Sequence, residues 1–493
     1  MSRALWPHQE EGFGLLRRSL MAGARHPMLQ IATGGGKTRL AAEIIFGAMR
    51  KGSTVVFVVP TISLIDQTVE AFGQEGITAV GVIQADHPLT DPRQPIQVAS
   101  VQTLRRRNLP KADLVIVDEA HMAFKVIFRW MEECPNLPFI GLSATPWSRG
   151  LGKRYDDLII AATTSQLIEA GFLSQFRVYA PSHPDLSGVK TVAGDYHEGQ
   201  LAEVMDKPEL TADVVRTWLN LGEDRPTLCF GVNRAHARQL RDDFEKAGVP
   251  AAYIDAHTDR AEREVIRKAF HAGAIKVVCN IGTLTVGIDW DVRCLILARP
   301  TKSEMLYTQI VGRGLRRAEG KDDCIILDHS DTTLNLGFVT DIHHDRLNTG
   351  KEATAGEKQV RELSAPKLPK ECPSCTRLKP VGVHKCPSCG FAPERQSEIE
   401  FAEGELVQVK GKKRQVTMAE KQVWYSGLIS VGRERKYKPG WAKQKFRDKF
   451  GVWPAHELSE RPGLVAPEVR RWLKSETIRW VKGSQKGQAH ATA

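Results

Sequence analysis

No stretch of the 493-residue sequence approaches the roughly 20 consecutive apolar residues of a membrane-crossing helix, which excludes a span of that kind. The first residues, Met1-Ser2-Arg3-Ala4-Leu5-Trp6-Pro7-His8, lack the apolar centre of a secretory leader. A cytoplasmic location with no membrane partner is the expectation. Cysteine is sparse: nine in the whole chain, five of them scattered, exclude a disulfide framework. Acidic residues are short at one end. From Gln396 to Ala493, 20 Lys+Arg face 11 Asp+Glu, so this tail carries +9 of the net charge of +11. A basic tail on a near-neutral body implies a polyanionic partner. Five of the ten tryptophans (Trp424, Trp441, Trp453, Trp472, Trp480) lie in the same tail. The length exceeds what one hydrophobic core supports, so three or four units are expected.

Against these absences stands Ile31-Ala32-Thr33-Gly34-Gly35-Gly36-Lys37-Thr38, which follows the apolar run Met28-Leu29-Gln30. A strand ending in glycines that open a helix (Leu40, Ile44 and Ile45 its apolar face) makes a phosphate cradle, because successive N–H groups point inward. Lys37 would reach the β- and γ-phosphates of ATP, and the Thr38 hydroxyl would hold Mg²⁺. The strict pattern has glycine six residues before the lysine, where Ile31 stands, so the stretch alone also suits an ordinary Gly-rich turn. Upstream, Gln9 carries an amide able to read an adenine edge; a surface glutamine before a helix is the plainer alternative.

The strands that follow share a habit. Val55-Val56-Phe57-Val58-Val59 ends in Pro60-Thr61; Ile96 to Leu104 forms a strand with Gln102 and Thr103 at its end. Leu114 to Val117 runs into Asp118-Glu119-Ala120-His121, and Phe139 to Leu142 runs into Ser143-Ala144-Thr145. Continuous apolar runs indicate buried parallel strands, and ligands of such sheets bind at the carboxyl ends. Asp118 is placed to hold Mg²⁺ through water, and Glu119 to orient the attacking water.

From Leu5 to about Asp328 the sequence resembles the superfamily 2 helicases of the D-E-A-H branch, in which the loop reads A-x-T-G-x-G-K-T and the missing glycine is normal. The resemblance implies that Gln9 contacts adenine, although Trp6 stands where the family often has Arg. It implies that His121, Ser143, Thr145 and Gln309 couple hydrolysis to movement, and that Thr61, Gln102 and Thr103 line the strand-binding face. Thr283-Leu284-Thr285-Val286-Gly287-Ile288-Asp289 resembles the fifth family motif, with Thr285 on nucleic acid and Gly287 and Asp289 on the nucleotide. Gln309-Ile310-Val311-Gly312-Arg313-Gly314-Leu315-Arg316 places two arginines on one helix face. Their guanidiniums can bind phosphate bidentately and neutralise charge on the transferred phosphoryl.

The expected architecture is α/β. A RecA-like ATP-binding domain (1–163) and a second RecA-like domain (164–346) come first, the latter from strands near 227–230, 251–254, 276–279, 294–297 and 324–327. The segment 164–346 includes a short helix within 165–173 and a loop over 181–199. Cys229, Cys279, Cys294 and Cys324 fall within those runs as core packing. A linker (347–370) leads to Cys372-Pro-Ser-Cys375 and Cys386-Pro-Ser-Cys389, whose spacing suits a structural Zn²⁺ with four thiolates (371–395). A basic, mainly helical domain (396–482) with a helix near 419–429 and a disordered end (483–493) follow. Lysines interleaved with aromatics, including Lys438, Trp441 and Lys445, suit a phosphate-tracking surface with stacked bases. A small domain whose aromatics form its own core explains them equally well.

The order of motor, four-cysteine ribbon and K-Y-K-P-G-W-A-x-x-K-F…F-G-x-W-P tail resembles the RadD-like DNA-repair helicases of bacteria and phages. That resemblance implies ATP-driven action on DNA, single-stranded or forked, in repair, recombination or replication, within a bacterial or phage-infected cell. It makes a single-strand-binding or recombination protein the candidate protein partner. An RNA helicase, a duplex-DNA translocase without unwinding, and an ATP-gated binding scaffold are the competing readings.

Overall fold

The computed structural model describes residues 4–84, 86–192, 194–282, 284, 290–350, 368–392, 417–438, 440–466, 468–470 and 472–473. The chain divides into two compact units, Met1–Arg395 and Gln396–Ala493. Among the described residues no helix is long and apolar enough to cross a membrane.

The first unit opens with a seven-stranded parallel sheet. Its strands are β1 (Pro27–Ile31), β2 (Val55–Val59), β3 (Val80–Ile83), β4 (Ile96–Ser100), β5 (Leu114–Val117), β6 (Phe139–Ser143) and β7 (Asp157–Ala162). Their order is β3-β4-β2-β5-β6-β1-β7. Side chains alternate across a strand, so each apolar run feeds two cores. Val55, Phe57 and Val59 join Leu29 and Ile31 on one face, while Val56 and Val58 join Met28 on the other. Because β5, β6 and β1 are neighbours, their carboxyl ends bring Asp118, Ser143 and the glycine loop side by side.

A second parallel sheet follows, from β8 (Gln175–Tyr179), β11 (Thr227–Phe230), β12 (Ala251–Ile254), β13 (Val277–Asn280), β14 (Cys294–Leu297) and β15 (Asp323–Asp328), ordered β12-β13-β11-β14-β15-β8. A hairpin of β9 (Thr191–Val192) and β10 (Asp195–Tyr196) lies beside it in sequence. Cys229, Cys279 and Cys294 pack on one face and Cys324 on the other, all buried and unbridged. Edge strand β8 is pinned by Arg177, whose Nε meets Asp323 Oδ2 at 2.5 Å.

The four-cysteine segment docks on that edge. Its hairpin, β16 (Lys370–Glu371) with β17 (Leu378–Lys379), buries Leu378 in the second-sheet core. Ala180 N–H donates to Thr376 O at 3.1 Å, and His183 lies between Asp331 (2.7 Å) and Glu371 (3.0 Å). Covering the edge removes an open row of backbone groups.

Several expectations change. The strand expected over 96–104 ends at Ser100, whose hydroxyl accepts from Thr103 N–H and caps a short helix, Val101–Leu104. The loop expected over 181–199 contains the β9–β10 hairpin, and the helix Glu198–Met205 begins within it. The helix expected within 165–173 runs Thr164–Glu169, and Gly171 turns with φ +73°. Strands β3, β7 and β8 have no counterpart among the expected strands. Leu347, assigned to a linker, is 9% exposed and packs in the first domain's core, while Gly152 N–H donates to Asn348 O at 2.9 Å. Beside it the His344 ring stacks on Trp147 at 4.9 Å. The chain thus returns from the second sheet to the first domain before entering the ribbon.

The second unit contains helices Met418–Glu434 and Trp441–Phe450 around Tyr425, Leu428, Phe446, Leu458 and Val469. Residues 410–414, Trp480 and 483–493 lie outside the described residues.

The opening helix, Pro7–Met21, lies directly on β7, where a Cβ at Gly12 would sit 2.5 Å from Ala161 Cβ. Gly12→Val should therefore lower stability by about 1–3 kcal/mol through overpacking, read as an earlier urea midpoint.

Candidate nucleotide and nucleic-acid sites

The glycine loop adopts conformations that side chains rarely take: Gly34 has φ +87° and Gly36 φ +83°. Gly36 caps the helix Lys37–Met49 with no side chain competing for its first N–H groups, which leaves them for an anion. Packing around the loop leaves no room for side chains: a Cβ at Gly35 would meet Ile31 at 2.5 Å, and one at Gly36 would meet Gln9 Nε2 at 2.2 Å. The residues therefore fit a bound phosphate chain. Thr33 lies in the loop and Thr38 in the first helical turn. Hard oxygen donors of Thr38 and Asp118 suit Mg²⁺.

Gln9 braces this loop. Its Nε2 donates to Gly35 O (3.1 Å) and Gly36 O (3.3 Å), and its Oε1 accepts from Trp6 N–H (3.0 Å). The amide expected to face adenine is thus engaged with backbone, and the aromatic beside it is Trp6, stacked on Phe172 at 4.9 Å.

Lys37 Nζ meets Glu119 Oε1 at 2.7 Å and Asp118 Oδ1 at 3.9 Å. Burial would depress the lysine's pKa, but Glu119 and Asp118 together raise it. Burial likewise pushes the Asp118 carboxyl up to about 6, against the pull of Lys37. For Glu119, burial is outweighed by Lys37 and by the hydrogen-bonded His121, which hold it well below the usual carboxylate range. Glu119 itself sits at φ +48°, a strained left-handed backbone for a non-glycine residue.

The polar chain continues into the second sheet's domain. His121 Nδ1 lies 3.3 Å from Glu119 Oε2 and 2.9 Å from Ser143 Oγ, which also accepts from Thr145 N–H at 3.0 Å. Gln309 Nε2 donates to His121 Nε2 (3.0 Å) and to Thr145 Oγ1 (3.3 Å). A donor at Nε2 assigns the ring proton to Nδ1.

Gln309 and Arg313 lie on the helix Glu304–Gly314, but Arg316 lies beyond its end, in a bridge with Leu173. The two arginines therefore do not share a helix face, because the helix stops at Gly314. They still converge on the loop. A Cβ at Gly312 would lie 2.6 Å from Thr33 Cβ, one at Gly34 would lie 3.5 Å from Arg316 Cγ, and Arg313 is close enough to lower the pKa of Lys37.

At the ends of β2 and β4, Gln102 Oε1 accepts from Ile62 N–H at 3.2 Å, so Thr61, Gln102 and Thr103 share one surface. Exposed Arg105 and Arg106 come next in the chain, whereas Arg107 lines a hollow with Thr54 and Asp113 at the opposite ends of the strands. The sequence signals them only as a charge run, which is usually a solvated face. Thr283, Thr285, Gly287 and Asp289 lie outside the described residues.

In the second unit, Trp441 stacks on Tyr437 at 4.6 Å within the local core, and Lys445 pairs with Asp448 at 2.9 Å. Lys438 is exposed. Tyr437 and Trp453 are exposed, Trp453 at 53%, with the Arg447 guanidinium 4.9 Å from the Trp453 ring centre.

Sulfurs of Cys372, Cys375, Cys386 and Cys389 all lie within 4.8 Å of one another. The Cys372–Cys389 and Cys375–Cys386 separations are 3.7 Å, far beyond a disulfide's ~2.05 Å. Tetrahedral Zn–S bonds of about 2.3 Å require sulfurs about 3.8 Å apart, so the four fit zinc.

Residues 3–148 match the family described as Type III restriction enzyme, res subunit, and residues 207–318 match the helicase conserved C-terminal domain. A 51.5 kDa protein of a Lactococcus phage (isolate 7-9) is 28% identical over 403 residues, covering 78% of this chain and 84% of that protein. A Saccharomyces cerevisiae protein named as an ATP-dependent helicase, IRC3, is 29% identical over 350 residues. That match covers 65% of this chain and half the yeast protein's length. In fold, the chain is similar to a fragment of an HsdR subunit of a type I restriction enzyme from Vibrio vulnificus YJ016. The TM-score is 0.53 at 20% identity, covering 70% of each chain.

Two outcomes follow from this geometry. Gly312→Ala should block the close approach to Thr33, lowering ATP turnover by about tenfold or more while leaving nucleotide binding near wild type in a fluorescent-ATP titration. Elemental analysis should find about one zinc per chain for a four-thiolate site, and chelation should lower the melting temperature.

Proposed function

We propose that this chain, a superfamily 2 helicase with two RecA-like domains and hence a nucleic-acid-dependent ATPase, moves on or remodels DNA in repair, recombination or replication. The observation that carries the reading is the meeting of Arg313, Arg316 and Gln309 with the glycine loop and with His121. Hydrolysis in such a cleft changes how two domains hold each other.

In this reading the loop N–H groups and Lys37 hold the β- and γ-phosphates, and Thr38 and Asp118 hold Mg²⁺. Bound Mg²⁺ neutralises charge on the phosphates. Lys37 then exchanges its bond to Glu119 for one to phosphate. The freed carboxylate orients water in line with the γ-phosphoryl group, and Arg313 and Arg316 stabilise the charge that develops opposite. His121 and Gln309 report the state of Glu119 to the second domain through the chain of hydrogen bonds they already form. Trp6 offers the base a stacking face, since Gln9 is occupied with the loop. Motif-five residues Thr285, Gly287 and Asp289 complete the nucleotide and strand contacts.

Thr61, Gln102 and Thr103, with Arg105 and Arg106 beside them in the chain, contact sugar and phosphate rather than base edges. The basic second unit adds a grip through exposed Lys438 and the Arg447–Trp453 pair. Packing of Trp441 and the pairing of Lys445 with Asp448 leave these two a supporting part in that grip. The ribbon, with zinc, stiffens the outer edge of the second domain. DNA as the track is supported by the charge of the tail and the resemblance of its K-Y-K-P-G-W stretch to the RadD-like group. A single-strand-binding or recombination protein is the proposed partner, in the cytoplasm.

Steady-state ATP hydrolysis with no nucleic acid, single-stranded, duplex and forked DNA, and RNA tests the reading. Stimulation by DNA is expected, strongest with single-stranded or forked forms, and absent in Glu119→Gln. Preferential stimulation by RNA would replace the track. Indifference to every nucleic acid would favour the ATP-gated scaffold.

A further inference from the structure

Lys321 is 5% exposed, yet its ammonium faces no carboxylate partner among its hydrogen bonds. Its Nζ donates to Gly314 O at 2.5 Å, Arg316 O at 2.7 Å and Val292 O at 2.7 Å. An ammonium has three donors, and three backbone carbonyls use all of them. Burial pushes the pKa of this lysine below the ordinary value, and shutting a cation away from water is unfavourable unless its partners are well placed.

Those partners lie where the arginines are set. Gly314 ends the helix that carries Arg313, and its carbonyl is one of the last, unpaired acceptors of that helix. A cation there also meets the negative end of the helix dipole. The other side of the same segment is held by the connection between the domains. Ser174 N–H and Oγ donate to Leu315 O at 2.8 and 3.1 Å, Leu173 bridges Arg316, and Arg317 Nη1 donates to Gly171 O at 2.6 Å. The peptide units 314–317 are thus clamped between the 171–174 connection and Lys321.

We propose that Lys321 is a positioning residue for ATP hydrolysis, fixing the backbone from which Arg313 and Arg316 reach the phosphate loop. The inference rests on the charge-stabilising role given to those arginines above. Lys321 bonds backbone alone, so its removal should change turnover rather than nucleotide affinity.

The test is a double-mutant cycle on the full chain, comparing Lys321→Met, Arg316→Ala and the double variant for kcat and KM in DNA-stimulated hydrolysis. Lys321→Met should lose about tenfold or more in kcat with KM nearly unchanged, and Lys321→Arg should recover part of the loss. The double variant should lose clearly less than the product of the two single losses, because residues acting through one another are not additive. General loosening of the fold would instead multiply the two losses, and that result overturns the proposal. Wild-type kcat in Lys321→Met overturns it too. Should Lys321→Met not fold, Lys321→Gln, which keeps two donors, enters the same cycle. Wild-type turnover in Arg316→Ala removes the arginine reading itself, whereas a slow Arg316→Ala beside a fast Lys321→Met removes only the role of Lys321.

Discussion

A lysine ammonium held partly away from water needs partners that offset its lost hydration, and at half-buried Lys37 the main partner is an anion. Glu119 supplies the anion at 2.7 Å, and it reaches that position from a strained left-handed backbone. His121 takes the other carboxylate oxygen, and Gln309 takes the far side of His121. Four side chains from three separate segments are therefore linked around one half-buried charge. On the proposed reading, a phosphate entering the cradle does not bring charge to a neutral place. It replaces one anion with another and sends the displaced carboxylate to the water.

The same exchange explains how two domains can respond to one small molecule. His121 cannot keep both its neighbours unchanged when Glu119 turns, and the neighbour on one side belongs to the second domain. The packing between the two domains is tight here, since Gly312 lies so close to Thr33 that no side chain fits between them.

What the sequence disclosed was chemistry concentrated at strand ends. Lys37, Asp118, Glu119, Ser143 and Thr145 were readable because each follows an apolar run, and adjacency of β5, β6 and β1 does the rest. The arginines were readable as a motif but not in their placement, because Gly314 permits a close contact with Leu295 and Cys324 that spacing cannot reveal. Lys321 was not legible at all: its partners are carbonyls, which every residue carries. Gln9 was legible as a motif, while its engagement with Gly35 and Gly36 depends on how far the opening helix sinks onto β7. In the tail, lysine-aromatic interleaving left two explanations open. Folding sorts them residue by residue, with Phe446 and Trp441 inward and Trp453 outward. Edge strands β7 and β8 escaped notice because their runs mix polar residues with apolar ones.

The chain's return to the first domain at Leu347 has a thermodynamic consequence. After the second sheet is complete, the chain anchors on the first domain at Leu347, and the ribbon lies on the β8 edge of the second sheet. The halves are laced together by this return as well as by the connection at 163–174. Such lacing keeps the effective concentration of one domain near the other high, so on the proposed reading reclosing after product departure needs little search. The swing between the halves is then set by how much of the lacing lets go at once, not by how far two freely hinged bodies could part.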